Sequence, residues 1–425
     1  MLIVVVVFVA ALFIGLPMAF VLGLGGLAHL AVLNTPEYLS IITQRFFVGV
    51  NSYSLMCIPF FILAGELMNK GGITQKLLDF SREAIGSIKG GMAYSCVIAA
   101  MVLSAILGSA NAVTAILCAI LVTEMAKDGY DEDFTGALIA SSGVLGPIVP
   151  PSVTFIIYGV LTGVSVQKMF MAGIVPGLLL GVAYILVILY YTKKRGYKKS
   201  KERFELKSFL KAFVVALPAL IVPIIIVGGI IGGIFTPTES GAMAVIAAII
   251  ASFIYRTFDI KALPEILFRT GITTAGIMMI VAFGNIMGWT LAIDSIPSKI
   301  QTAILSVTDN RYAIMFLIIL ALAAIGCVME AFAAMYIFIP VFVPLATAVG
   351  YDPIHVGIIL CLMLTIGLAT PPVGMLLFVT SNISKVPLAK LSKSVAPFVM
   401  AAFLITLILA YVPKLVLFIP DLLGL

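Results

Sequence analysis

Gly146-Pro147-Ile148-Val149-Pro150-Pro151-Ser152 breaks a helix in the middle of the apolar segment 134–163. Its three prolines remove three backbone donors and push the residues before them out of the helical region. Carbonyl groups are left without partners. Irregular backbone at membrane depth is tolerated only where it is buried in protein or lines a wet cavity, and a cation bound to those oxygens would satisfy them. Ser152 can then cap the half-helix that follows and aim its positive end at an anion. Gly367-Leu368-Ala369-Thr370-Pro371-Pro372-Val373-Gly374 offers the same geometry inside a second segment, 355–384.

Composition says what surrounds these breaks. Of 425 residues, 62% are hydrophobic and 10% charged, against roughly 25% charged in a soluble domain. The surface therefore faces lipid. Spanning helices need about 20 apolar residues, and runs such as Phe213–Phe235, Ala242–Phe253, Ala313–Ile325 and Pro397–Tyr411 supply full spans, hairpin arms or pieces of broken helices. The net charge of +6 does not indicate nucleic acid, because nine of the 25 basic residues crowd into 193–211. That stretch reads as a cytoplasmic loop under the positive-inside rule. The five cysteines sit singly in apolar segments and form no metal or disulfide pattern. The N-terminal MLIVVVVFVAALFIG lacks the basic region of a cleaved signal and reads as a retained first helix.

The chain also repeats itself. Gly129-Tyr130-Asp131 recurs as Gly350-Tyr351-Asp352, 221 residues on, and the same offset carries Gly136 onto Gly357, Pro150-Pro151 onto Pro371-Pro372 and Pro176 onto Pro397. The pattern predicts an all-α integral membrane protein in two repeats. Residues 1–192 form the first: scaffold helices over 1–72, a re-entrant hairpin over 91–127, the broken helix 134–163 and a closing helix over 172–192. Residues 212–425 form the second: scaffold helices over 212–293, a hairpin over 312–349, the broken helix 355–384 and a closing helix over 395–417. The scaffold blocks 238–256 and 270–293 map back onto 17–35 and 49–72. An odd number of crossings per half inverts the second repeat relative to the first and puts both termini in the periplasm. Inverted repeats with discontinuous helices are the architecture of secondary transporters, whose sites lie near the midplane at the repeat interface.

The hairpin tips complete each candidate site. Gly108-Ser109-Ala110-Asn111 allows close backbone approach, with Ser109 and Asn111 as oxygen ligands of the kind a hard cation prefers and Asn111 also able to donate to a carboxylate. Gly326-Cys327-Val328-Met329-Glu330 carries an ionisable residue at membrane depth, a functional candidate unless Glu330 faces water at the tip. Thr236-Pro237-Thr238-Glu239-Ser240-Gly241 reads as a turn between helices, and Asn285 and Trp289 as packing residues. His29 and His355 have no carboxylate or second histidine nearby in sequence, which argues against a metal site or proton relay there. Walker, HExxH and GxSxG motifs in suitable context are absent, and so are the usual residues of ATP-driven transport and intramembrane hydrolysis.

GSANA, GPIVPPS, TPTESGA and GLATPPVG, in this order and spacing, resemble the large membrane subunit of tripartite ATP-independent periplasmic (TRAP) transporters, and the sialic acid type in particular. The resemblance covers essentially the whole chain. It implies a multi-pass protein of the bacterial inner membrane that takes up a small organic acid with sodium, two or more ions and no organic cofactor, by an elevator motion. It further implies a small four-helix membrane subunit and a periplasmic substrate-binding protein as partners. One sodium would lie between Gly108–Asn111 and Gly146–Ser152, with Gly108, Ser109, Asn111, Gly146 and Pro150 as ligands. The other would lie between Gly326–Glu330 and Gly367–Pro372, with Gly326, Met329, Glu330, Gly367 and Thr370. Substrate would meet Asn111, Ser152, Thr370 and Gly374 between them. A stand-alone divalent-anion or ion carrier of related fold, needing no binding protein, is the competing reading.

Overall fold

The computed structural model describes residues 2–33, 36–199 and 204–424, and among them regular structure is helical apart from one isolated antiparallel bridge between Lys89 and Lys199. The first half contains α1 (Leu2–Phe13), α2 (Met18–Leu33), α3 (Leu39–Val50), α4 (Cys57–Lys70), α5 (Ile73–Ile85), α6 (Gly91–Leu107), α7 (Ala110–Lys127), α8 (Glu132–Gly143), α9 (Val153–Thr162) and α10 (Val166–Arg195). The second contains α11 (Leu206–Ile231), α12 (Pro237–Ile254), α13 (Leu263–Ile293), α14 (Ile296–Leu305), α15 (Arg311–Gly326), α16 (Ala331–Ala348), α17 (Pro353–Gly367), α18 (Met375–Ser384), α19 (Leu388–Tyr411) and α20 (Pro413–Leu422).

Helix starts keep the offset seen in the glycines and prolines. α7 and α16 begin at Ala110 and Ala331, and α8 and α17 at Glu132 and Pro353, each pair 221 residues apart. The helices stop over the two proline motifs, leaving 144–152 and 368–374 irregular, and Pro150-Pro151 and Pro371-Pro372 are both cis.

Local chemistry sets the ends. Thr236 and Glu239 form a capping box with Pro237 in the first turn of α12. Asn310 and Asp352 accept the first free backbone N–H groups of α15 and α17.

Three boundaries differ from the sequence reading. The block expected at 49–72 starts earlier and is split into α3 and α4, bent by 57°. The closing helices run 166–195 and 388–411, and Val412-Pro413 separates the second from α20. The basic loop is shorter than 193–211, because Lys193–Arg195 end α10 and Leu206–Lys211 begin α11. Cations at a helix C-terminus meet the negative end of its dipole, so α10 can continue through them; 200–203 lie outside the described residues.

Among the described residues seven helices are long and apolar enough to cross a membrane, or eight with the bent α3–α4 pair counted as one span. Exposed apolar side chains follow helical stripes, as with Leu178, Val182 and Leu186 on α10. Water would penalise such stripes and lipid does not. At the other extreme, all of 355–367 and 134–143 are buried. The first arms of the broken helices, α8 and α17, thus lie at the centre, with lipid-facing helices around them.

Candidate functional site

Only Gly108 and Ser109 separate α6 from α7, and Gly108 has φ +58°. Glycine adopts this left-handed conformation without the penalty a Cβ brings. The space is also needed: a methyl group on Gly108 would lie 2.8 Å from the Pro151 carbonyl oxygen, and one on Gly146 2.7 Å from that of Ser109. The 108–110 link and the 146–153 break therefore meet backbone to backbone.

Hydroxyls close the first break from within. Ser152 donates to the Pro147 carbonyl and accepts from the Phe155 N–H at 3.2 Å, which caps α9. Thr154 donates to the same carbonyl at 2.9 Å. Ser152 is fully buried, and it caps α9 as its place ahead of that half-helix predicts. Thr154 was not singled out in the sequence, although its place two residues after the cap is the available signal.

The second break is held differently. A methyl on Gly326 would lie 3.2 Å from Gly367 Cα, and one on Gly367 would overlap the Gly326 backbone. The Thr370 hydroxyl donates back to the Ile366 carbonyl at 2.8 Å. Gly374 starts α18 at φ +56° with no side-chain cap. Pro372 and Val373 are exposed, whereas Gly146–Ile148 and Pro150–Ser152 are buried. Glu330 is half-buried and caps α16 by accepting the Ala333 N–H at 3.1 Å; its carboxylate is committed to the helix end rather than free in water. The Met329 side chain joins an apolar wall, leaving its main chain toward the link.

The halves exchange partners beyond the breaks. Asn111, exposed at the start of α7, places its amide 3.5 Å from Met375 Sδ at the start of α18. Tyr158 of α9 donates to the Pro353 carbonyl at 2.5 Å. Asn111, Gly374 and Thr370 are thus brought to one region.

Away from the breaks, Arg195 at the end of α10 binds Asp131 at 2.8 Å and Asp133 at 3.1 Å. His29, with no carboxylate nearby in sequence, meets one from 265 residues away: its Nε2 lies 3.4 Å from Asp294. Lys299, 2.8 Å from Asp294, holds that carboxyl below the usual range together with His29. Trp289 packs under Arg45, 5.2 Å from ring centre to guanidinium.

The profile of the tripartite ATP-independent periplasmic transporter, DctM component, matches residues 5–415. The chain belongs to this family. It is 35% identical over 415 residues to the sialic acid TRAP transporter large permease protein SiaM of Vibrio cholerae, covering 97% of this chain and 96% of that one. It is 34% identical over 404 residues to the C4-dicarboxylate TRAP transporter large permease protein DctM of Pseudomonas aeruginosa, covering 95% and 94%. Among solved structures, the YdaH transporter of Alcanivorax borkumensis superposes with a TM-score of 0.64 at 11% identity, over 90% of this chain and 89% of that one, a likeness of fold. The permease is a multi-pass inner-membrane protein with a transporter role. TRAP large permeases work with a small membrane subunit and a periplasmic binding protein.

Proposed function

We propose that the permease takes up a small organic acid, sialic acid (N-acetylneuraminate) being the specific candidate, with two or more sodium ions and by an elevator motion. The observation that supports this is a contact made twice in one chain: Gly108 and Ser109 against Gly146 and Pro151, and Gly326 against Gly367. On this reading α6–α7 and α15–α16 are re-entrant hairpins of two inverted repeats, with both chain termini periplasmic. Main-chain oxygens released by the breaks suit sodium, as at the unwound helices of other secondary transporters. Gly108, Ser109, Asn111, Gly146 and Pro150 surround one ion, and Gly326, Met329, Glu330, Gly367 and Thr370 the other. A substrate carboxylate takes the Asn111 amide, Thr370 and the positive end of α18 at Gly374. Ser152 serves by fixing α9.

Each sodium moving inward gains about 2.3 kcal/mol per 100 mV of membrane potential, which makes two ions a sufficient drive for concentrating a monovalent anion. Substrate arrives on a periplasmic binding protein, and a separate small four-helix subunit completes the scaffold. The test is uptake of labelled organic acids, sialic acid included, into proteoliposomes holding the permease and its small subunit. A requirement for both binding protein and an inward sodium gradient is the expected result, and the acid panel names the substrate. Uptake without binding protein would identify a stand-alone carrier; indifference to sodium would overturn the ion sites.

A further inference from the structure

A crevice of about 460 Å³ separates α1 from the α15–α16 pair and is floored by α13 and α14. Fourteen residues line it, among them Val4, Phe8, Met287, Ile325, Met329 and Phe338, and none is polar. The other large openings differ in kind: one is lined by Ser52, Gln167 and Glu239, another by Lys70, Asp259 and Glu265. Those can hold water. An apolar cavity offers water no hydrogen-bond partners and takes an apolar ligand instead.

Geometry narrows the occupant. The crevice lining includes Ile296 and Ile300 of α14, whose exposed Lys299 pairs at 2.8 Å with Asp294 at the end of α13. It also includes Ile325 and Met329 beside the α15–α16 link. It is also continuous with lipid-facing surface, since Val5 on α1 is 53% exposed and Ile300 37%. A helix, about 10 Å across, does not fit. Protein interiors seldom leave voids much larger than a water molecule, so a space this large in a bilayer fills with what surrounds it.

We propose that the crevice holds one acyl chain of a membrane lipid, as a structural part of the contact between α1 and the α15–α16 pair. The assignment rests on membrane insertion and on no ion or substrate contact, and it shares one residue, Met329, with the second ion site proposed above.

The test uses the single tryptophan of the chain. In a Trp289→Phe background, Ala321→Trp places an indole in the crevice, and Leu404→Trp, at a position 59% exposed on α19, reports open lipid. Both are measured in nanodiscs of lipids brominated on the acyl chain, with the small subunit present and absent. Quenching of the Ala321→Trp variant by brominated chains, approaching that at Leu404→Trp, and protection from iodide are the expected results. Iodide quenching would mean a watery vestibule; protection from both quenchers would mean filling by protein, the small subunit included. Either overturns the proposal. If Ala321→Trp does not fold, native mass spectrometry of Val5→Phe, which puts a ring in the crevice mouth, decides. Loss of one retained phospholipid per chain supports the acyl chain, and an unchanged lipid count refutes it.

Discussion

At 146–152 two hydroxyls converge on the Pro147 carbonyl and the whole turn is nearly sealed from solvent, whereas at 367–374 two glycine backbones touch and the turn beyond them lies open. The same proline pair sits in each. The entries to the two broken helices differ as well: Asp352 caps α17 through the Ile354 N–H at 2.7 Å, while its counterpart Asp131 makes no cap and instead takes Arg195 and Tyr197, each at 2.8 Å. Matched backbone thus carries divergent side-chain chemistry. The first break is a fixed support for α9, and the second leaves Pro372 and Val373 exposed ahead of α18, which has no side-chain cap.

The comparison can be broken in four ways. Gly367→Ala carries the largest effect, because its methyl would overlap the Gly326 backbone and neither side is a flexible side chain. Overpacking of this kind costs about 1–3 kcal/mol, and sodium-dependent uptake should vanish while the protein still reaches the membrane. Wild-type uptake would show that the contact is not part of the transport cycle. Gly146→Ala meets the Ser109 carbonyl at 2.7 Å and should lower uptake about tenfold, the equivalent of ~1.4 kcal/mol; a loss matching that of Gly367→Ala would make the two breaks equivalent.

Ser152→Ala removes a cap worth about 1 kcal/mol and leaves Thr154 alone on the Pro147 carbonyl. The melting midpoint should drop and Ser152→Thr should restore most of it. If instead stability is unchanged and substrate affinity falls, Ser152 touches the solute after all. The smallest effects come from the two aspartates. Asp352→Ala should cost about 0.5–2 kcal/mol at any salt. Asp131→Ala, losing a half-exposed ion pair, should cost about 0.2–1 kcal/mol at low salt and less in high salt. Equal salt dependence in the two variants would erase the difference.

Much of the scaffold was legible in the chain. Glycine and proline constrain backbone wherever they stand, so the matched landmarks at one offset also mark where helices stop. The bend at 51–56 was not legible, because its counterpart in α13 is one unbroken helix. Helix ends escaped for a related reason: apolar periodicity ends before Lys193, but lysine and arginine are good helix formers that suit a C-terminus. In the candidate site the glycines could be named and Ser152 read as the cap of the half-helix after the break, but the carbonyl its hydroxyl donates to could not be named. Whether its hydroxyl faces solute or Pro147 depends on the three-dimensional path of the turn.

Sequence alone determined that the chain lives in lipid, that glycine and proline landmarks recur at one offset, and that each half has a helix that cannot run through its proline pair. These follow from composition and from backbone chemistry local to each residue. Only the tertiary structure decided that Gly326 abuts Gly367, that Asn111 reaches α18 of the other half, and that His29 finds Asp294. Such contacts join residues tens to hundreds of positions apart, and side chains in apolar helices carry too little pattern to specify which faces meet.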